Sequence, residues 1–326
     1  MKENNIDFYS QTTLKSYNLD ETIRYQLSML DSLDVFTRRH SENVANITCR
    51  LCERLRLNKD FIVYCTTCAY LHDIGKLFIP PAILQKQGPL TDEEFEVMKT
   101  HTTLGYNMCM EDPKLRPYAN GPLYHHEGLN GSGYPNGVTA KDIPMEGQII
   151  RVADEFDAIV SKRQYKSHIG ITDTLKLLVK EAQAIPKSIA LKSMEVNTKL
   201  GKLNPKIVRM LFKVVIEDTE YEISCILDYM KYVNKQIQRL EVINQYNLKL
   251  AKAKTEKKKD YYKACMDALF QGGENEKNFI YILEEYSAAY LKKKQTVNSL
   301  FNEIREIKKL KVWENLTLLL YFVVKF

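Results

Sequence analysis

The sequence predicts an all-α protein, and the prediction rests on apolar spacing in three places. From His40 onward, Val44, Ile47 and Leu51 recur at steps of four, three and four, which is one face of a helix. In "FIVYCTTCAYLHD", Cys65, Ala69 and His72 share a second such face. Beyond residue 217 two longer seams obey the same rule. The first is Ile226, Met230, Val233, Ile237 and Leu240; the second is Leu283, Tyr286, Tyr290, Val297, Leu300, Ile304 and Ile307.

Taken in order, the elements begin with an N-terminal segment and lead-in helix, residues 1–33. "MKENNIDFYS" lacks the apolar core of a signal peptide. With 44% hydrophobic and 27% charged residues the chain reads as globular rather than disordered. A net charge of +6 spread over 326 residues favours an anionic ligand but is no footprint of a nucleic-acid polymer. The longest apolar run, "LTLLLYFVV", is about half of what a membrane-spanning helix needs, so no transmembrane segment is expected. Seven cysteines, an odd number, exclude a fully paired disulfide framework and point to reduced thiols in the cytoplasm.

Cys49-x2-Cys52 and Cys65-x2-Cys68 have the spacing of a four-thiolate zinc site. Neither pair has the glycine that opens a tight zinc knuckle, and both lie within apolar helical segments. They read as small core residues.

The histidines carry more information. Five of the six fall between positions 40 and 126: His40, His72, His101, His125 and His126. His72 is followed at once by Asp73, and a further acid, Asp154, sits in the apolar segment "IIRVADEFDAI". An imidazole beside a carboxylate at the end of an apolar helix offers a neutral nitrogen and an anion from one place. A single Asp can span two metal ions about 3.5–4 Å apart. Gly75 then lets the chain turn, and Lys76 sets a cation beside the site.

"HDIGK" followed some fifty residues later by "HHEGLNGSGYP" resembles the HD-GYP domain, a branch of the HD-type metal-dependent phosphohydrolases. "IPPAILQKQGPLTDEEFEVMKTH" is similar to the family's connecting segment, and "RVADEFDAIVSKRQY" to the stretch after its signature. The resemblance implies an HD-GYP helical bundle over residues 34–217, with a helical, coiled-coil-like extension over 218–326.

It also implies a ligand set. His40, His72 and Asp154 would hold one divalent metal and His101, His125 and His126 another, with Asp73 bridging. Iron or manganese is the expected pair, with zinc and nickel as alternatives. Some members have a glutamate four residues before the first histidine for a third metal; Phe36 stands there, so two metals are expected. The implied activity is hydrolysis of cyclic di-GMP to pGpG, and on to GMP in some members, by a metal-bridging hydroxide. Asp73 and Lys76 would be catalytic. Lys76, Gly131, Gly133, Tyr134, Pro135, Arg163 and Lys166 would bind substrate, with Glu127 orienting a ligand.

Three positions depart from the family's common pattern: Gly128 where arginine is frequent, Asn130 where aspartate is, and Gln164 where proline is. They leave every metal ligand in place and bear on the choice of cyclic dinucleotide. Two rival readings stand beside this one: a cyclic di-GMP sensor without turnover, and an HD-type hydrolase of another nucleotide. Beyond residue 217 the seams predict a helical hairpin that forms a homodimer or packs on the catalytic domain, with "KAKTEKKKD" solvated between them.

Overall fold

The computed structural model describes residues 35–161, 170–183 and 201–310, and their regular structure is helical, as the apolar spacing predicts. An isolated bridge between Asn130 and Thr139 is the β pairing among the described residues. Contacts divide the chain into one unit, Met1–Ile216 with Ile307–Phe326, and another, Glu217–Glu306.

In the first unit, helix α1 (Val35–Arg54) buries Val44 and Leu51 of the face read from its spacing, with Ile47 partly buried, and also Cys49 and Cys52 of the neighbouring strip. Helix α2 (Lys59–Leu71) starts where Asn58 accepts a hydrogen bond from the Phe61 amide at 2.7 Å, an N-cap that satisfies one of the orphan donors. It buries Ile62, Cys65, Cys68 and Ala69. These pack with Ile149, Ile150 and Val152 of helix α7 (Met145–Val160), Leu175 and Leu178 of α8 (Ile171–Ala182), and Ile207, Leu211 and Phe212 of α9 (Pro205–Ala251). The four cysteines of the two Cys-x2-Cys pairs are core side chains, and burial pushes the Cys65 and Cys68 thiols up. Helix α9 begins at "NP", with Asn204 Oδ1 capping the Lys206 amide at 3.0 Å and Pro205 in the first turn, where its missing N–H costs nothing.

Between α2 and α7 lie a 3-10 turn (Ile74–Phe78) and the short helices α3 (Pro81–Leu84), α4 (Asp92–Lys99), α5 (His101–Glu111) and α6 (Asn120–Tyr124). Gly75 lies where the chain turns, as its sequence place suggests, and the structure adds a further reason for it. Its backbone is not in the left-handed region; that reason is close approach. A Cβ on Gly75 would lie 1.9 Å from the His101 carbonyl oxygen and 2.5 Å from the Gly105 amide nitrogen. The turn after His72–Asp73 is thus pressed against the first turns of α5, which fixes Asp73 relative to His101. Gly75→Ala should force these elements apart, costing about 1–3 kcal/mol as overpacked interiors do. Thermal unfolding should show the loss, and metal content should fall with it; a variant with wild-type values for both would refute this.

In the second unit the two seams pack on each other within the chain. Ile226 and Met230 of α9 cluster with Val297 and Ile304 of α11 (Phe279–Lys309). Leu240 and Ile243 cluster with Phe279 and with Met266 of α10 (Glu256–Asp267). Arg239 Nη2 and Glu274 Oε1 form one arm of a two-armed ion pair at 2.6 Å, and Arg239 also donates to the Leu269 carbonyl. Ile307, last of the second seam, belongs to the core of the first unit. No helix among the described residues is long and apolar enough to cross a membrane, and the run 316–324 lies outside them.

Candidate metal centre

The seven candidate ligands arrive from five places in the fold. His40 comes from the first turns of α1, His72 and Asp73 from the end of α2, and His101 opens α5. His125 and His126 follow α6, and Asp154 lies in the middle of α7. The structure brings all seven together, and six of them form two groups of convergent ligand atoms: His40, His72 and Asp73, and His101, His125 and His126, with Asp154 beside them.

Asp73 lies between them. Its Oδ2 is 3.3 Å from His72 Nε2 and 3.7 Å from His40 Nε2, while its Oδ1 is 3.5 Å from His101 Nε2 and 3.9 Å from His125 Nε2. One carboxylate therefore faces each group with one oxygen. Asp154 also stands near both, with Oδ1 3.0 Å from His40 Nε2 and Oδ2 3.8 Å from His126 Nδ1.

The rings are oriented from behind. His72 Nδ1 donates to the Ala69 carbonyl (2.7 Å), His101 Nδ1 to Met98 (2.6 Å) and His125 Nδ1 to Pro122 (2.8 Å). With the proton on Nδ1, each Nε2 presents its lone pair to the centre. His72 Nε2 and Asp73 Oδ1 are buried without a hydrogen-bond partner. A polar group left so in a protein interior costs about 1–3 kcal/mol. One belongs to each side of Asp73, so a cation in each group would satisfy one of them. Imidazole and carboxylate donors suit divalent metals, and the residues present fit two such ions.

The two groups differ in charge. Burial lowers His101, His125 and His126, leaving them neutral imidazoles. Burial also acts to lower His40, but its hydrogen bonds to Asp154 and Asp157 prevail and its pKa is raised to about 9. Burial would raise Asp73, yet Lys76 and His72 beside it hold its carboxyl well below the usual carboxylate range. Protein stripped by chelation should thus show His40 titrating near pH 9 in imidazole NMR spectra. Divalent metal added at pH 7 should displace about one proton from this group, because the ligand must be deprotonated to bind. Calorimetry in buffers of different ionisation enthalpy reads the release, and uptake without any would contradict it.

Of the expected substrate-binding residues, Lys76 places its ammonium on Asp73 Oδ2. Gly133 folds the loop back on the histidines: a Cβ there would lie 2.4 Å from the His126 carbonyl oxygen. Tyr134 then stacks on His126, ring centroids 4.6 Å apart at 29°. Gly131, in the left-handed region at φ +76°, and Pro135, after a cis bond, flank them in the loop. Arg163 and Lys166 lie outside the described residues, as does the side chain of Phe36.

Glu127 is a correction. Its carboxylate accepts from the amides of Asn136 (2.7 Å) and Val138 (3.2 Å), so it ties the loop shut instead of orienting a ligand. Backbone donors at the loop's end claim it first.

Two residues that sequence reasoning missed stand behind the ligands. Asp157 Oδ2 accepts from His40 Nδ1 at 2.7 Å, and Arg151 Nη1 lies 2.9 Å from His126 Nδ1. The signal was present: Arg151, Asp154 and Asp157 recur at steps of three, on one face of α7.

Residues 24–186 match the family model described as HD domain. A cyclic di-GMP phosphodiesterase of Thermotoga maritima is 38% identical over 198 residues, which span 60% of this chain and 49% of that protein. The cyclic di-GMP phosphodiesterase response regulator RpfG of Xanthomonas campestris pv. campestris is 36% identical over 45% of this chain and 39% of its own. The 3'3'-cGAMP-specific phosphodiesterase 3 of Vibrio cholerae is 32% identical over 46% of this chain and 33% of its own. The chain thus spans half or less of the length of these curated relatives.

Proposed function

This chain belongs to the HD-domain family, with the HD-GYP signature at His72–Asp73 and from His125 to Pro135, and from that premise we propose that it hydrolyses cyclic di-GMP to pGpG, with GMP as the product of any further cleavage. The observation that carries the reading is Asp73, a buried carboxylate with one oxygen toward each histidine group. The nature of the substrate is taken from the cyclic di-GMP phosphodiesterases of Thermotoga maritima and Xanthomonas campestris.

Divalent cations held there would polarise the phosphodiester and supply an activated water near neutral pH. Iron or manganese is our choice, since the donors mix imidazole nitrogen with carboxylate oxygen. The chain itself supplies the rest. His40 and His72 would bind on one side with Asp154, and His101, His125 and His126 on the other, with Asp73 shared. Lys76 adds a positive charge at the same carboxylate, where charge builds up on the phosphoryl oxygens. The loop tied by Glu127 seats Tyr134 over His126 and covers that side of the centre. Arg163 and Lys166 complete the phosphate contacts on the strength of the family pattern. Catalysis is assigned to residues 34–217 and, given the odd count of seven cysteines, to the cytoplasm.

Another cyclic dinucleotide is the second reading. Asn130 Oδ1 is taken up inside the loop by the Ser132 amide (3.1 Å) and hydroxyl (2.6 Å), and Gly128 offers no side chain to a base. The Vibrio cholerae relative is named for 3'3'-cGAMP. Protein purified without oxygen and loaded with iron or manganese should convert cyclic di-GMP to pGpG, resolved by chromatography. Intact cyclic di-GMP in a fully metallated sample would sink the reading. Faster cleavage of 3'3'-cGAMP would replace its substrate.

A further inference from the structure

Helix α4 (Asp92–Lys99) buries none of its residues, and a capping box holds its first turn: Thr91 accepts from the Glu94 amide, and Glu94 accepts from the Thr91 amide at 2.8 Å. It nevertheless carries Phe95, 45% exposed. An aromatic ring so exposed adds little to stability, and its neighbours suggest another use. Phe95 and Tyr134 have ring centroids 6.3 Å apart at 80°, and Tyr134 stacks in turn on His126. Lys99, one turn on from Phe95, holds its ammonium 4.9 Å from the Phe95 centroid and 5.8 Å from that of Tyr134. A row of rings therefore runs from the candidate ligands through Tyr134 to a solvent-facing phenyl group, braced by a cation.

We propose that Phe95, backed by Tyr134 and Lys99, is a stacking subsite for one purine base of the cyclic dinucleotide, a step that rests on the phosphodiesterase reading above. The phosphodiester belongs at the histidine groups, and a base must leave it along the surface. The ring row starts at His126 and ends on an open aromatic edge. Purines stack on such rings whatever their edge groups, so the subsite sets affinity for purine dinucleotides and leaves the choice between guanine and adenine to other contacts. The chain also links this rim to the centre: the Met98 carbonyl, in the last turn of α4, accepts from His101 Nδ1.

The test is a series of metal-loaded proteins: wild type, Phe95→Ala, Phe95→Leu and Phe95→Trp. KM and kcat for cyclic di-GMP are measured with its Kd by calorimetry and metal content by elemental analysis. Both Ala and Leu variants should raise KM and Kd by about 5- to 150-fold, the range for losing one base-aromatic stack. Trp should restore them, with kcat and metal content unchanged throughout. If Leu alone restores affinity, Phe95 is packing and not a stacking platform, and the proposal fails. Unchanged KM and Kd in the Ala variant, with wild type turning over, also defeat the subsite but leave the phosphodiesterase standing. A fully metallated wild type that neither binds nor cleaves cyclic di-GMP defeats both.

Discussion

Asp73→Asn should lose turnover of cyclic di-GMP by about 10³-fold or more, and retain the fold. The size comes from what the carboxylate does. Removing one preorganised charge-stabilising group from an active site already costs about 10²–10³-fold. Asp73 presents one oxygen to His72 and His40 and the other to His101 and His125, so its neutralisation weakens both groups together. Asn keeps the shape of the side chain, but one oxygen becomes an amide nitrogen that cannot bind a cation. It also leaves the Lys76 ammonium without its carboxylate. Metal content should fall on both sides of the centre. Circular dichroism should match wild type, because the first unit's core runs through Leu51, Ile149 and Phe212 and not through this residue. An Asp73→Asn protein with normal metal content and turnover would refute the bridging role.

Asp157→Asn should weaken metal binding on the His40 side by about 10–100-fold, the usual cost of losing a carboxylate that orients a metal-binding histidine. Asp157 is buried, and its other oxygen accepts from Asn43 (3.1 Å) and the Ser161 hydroxyl (2.8 Å), so its position is held from three directions. Its carboxylate is one of three, with Asp154 and Asp73, that offset burial and keep His40 protonated up to about pH 9. Without that charge, the folded-state pKa of His40 falls. The proton is then lost at lower pH, and the pH above which metal binds freely moves down with it. Excess metal should restore most of the turnover of this variant, which a merely misfolded protein would not allow. Titration with manganese, following binding and activity together, distinguishes the two; failure of rescue at saturating metal would overturn the positioning role.

The helices were legible because their apolar residues keep the helical period. Val44, Ile47 and Leu51 announce α1, and the two long seams announce α9 and α11. The histidines were legible as a set because polar groups stood in apolar segments that had no structural need of them. What they do to one another was less so. That Asp73 divides its oxygens between two groups depends on where α1, α5 and α7 come to rest, which no spacing encodes. Gly75 is legible as a turn residue in "HDIGK", but its further reason, the His101 carbonyl pressed against it from across the fold, is not. Glu127 sits next to two ligands in sequence, yet loop amides of Asn136 and Val138 take its carboxylate. Arg151 and Asp157 were readable from their period of three beside Asp154, once the helix is known to face the centre. Phe95 gave no signal at all, because an exposed phenylalanine is ordinary until its neighbours are seen.

The most direct measurement is anomalous diffraction from crystals of the manganese-loaded protein. Two peaks about 3.5–4 Å apart are expected, the separation of two ions sharing a bridging ligand. One should lie among His40, His72 and Asp154, the other among His101, His125 and His126, with Asp73 between them. A single peak, or two that do not share Asp73, would contradict the two-metal centre and the phosphodiesterase built on it.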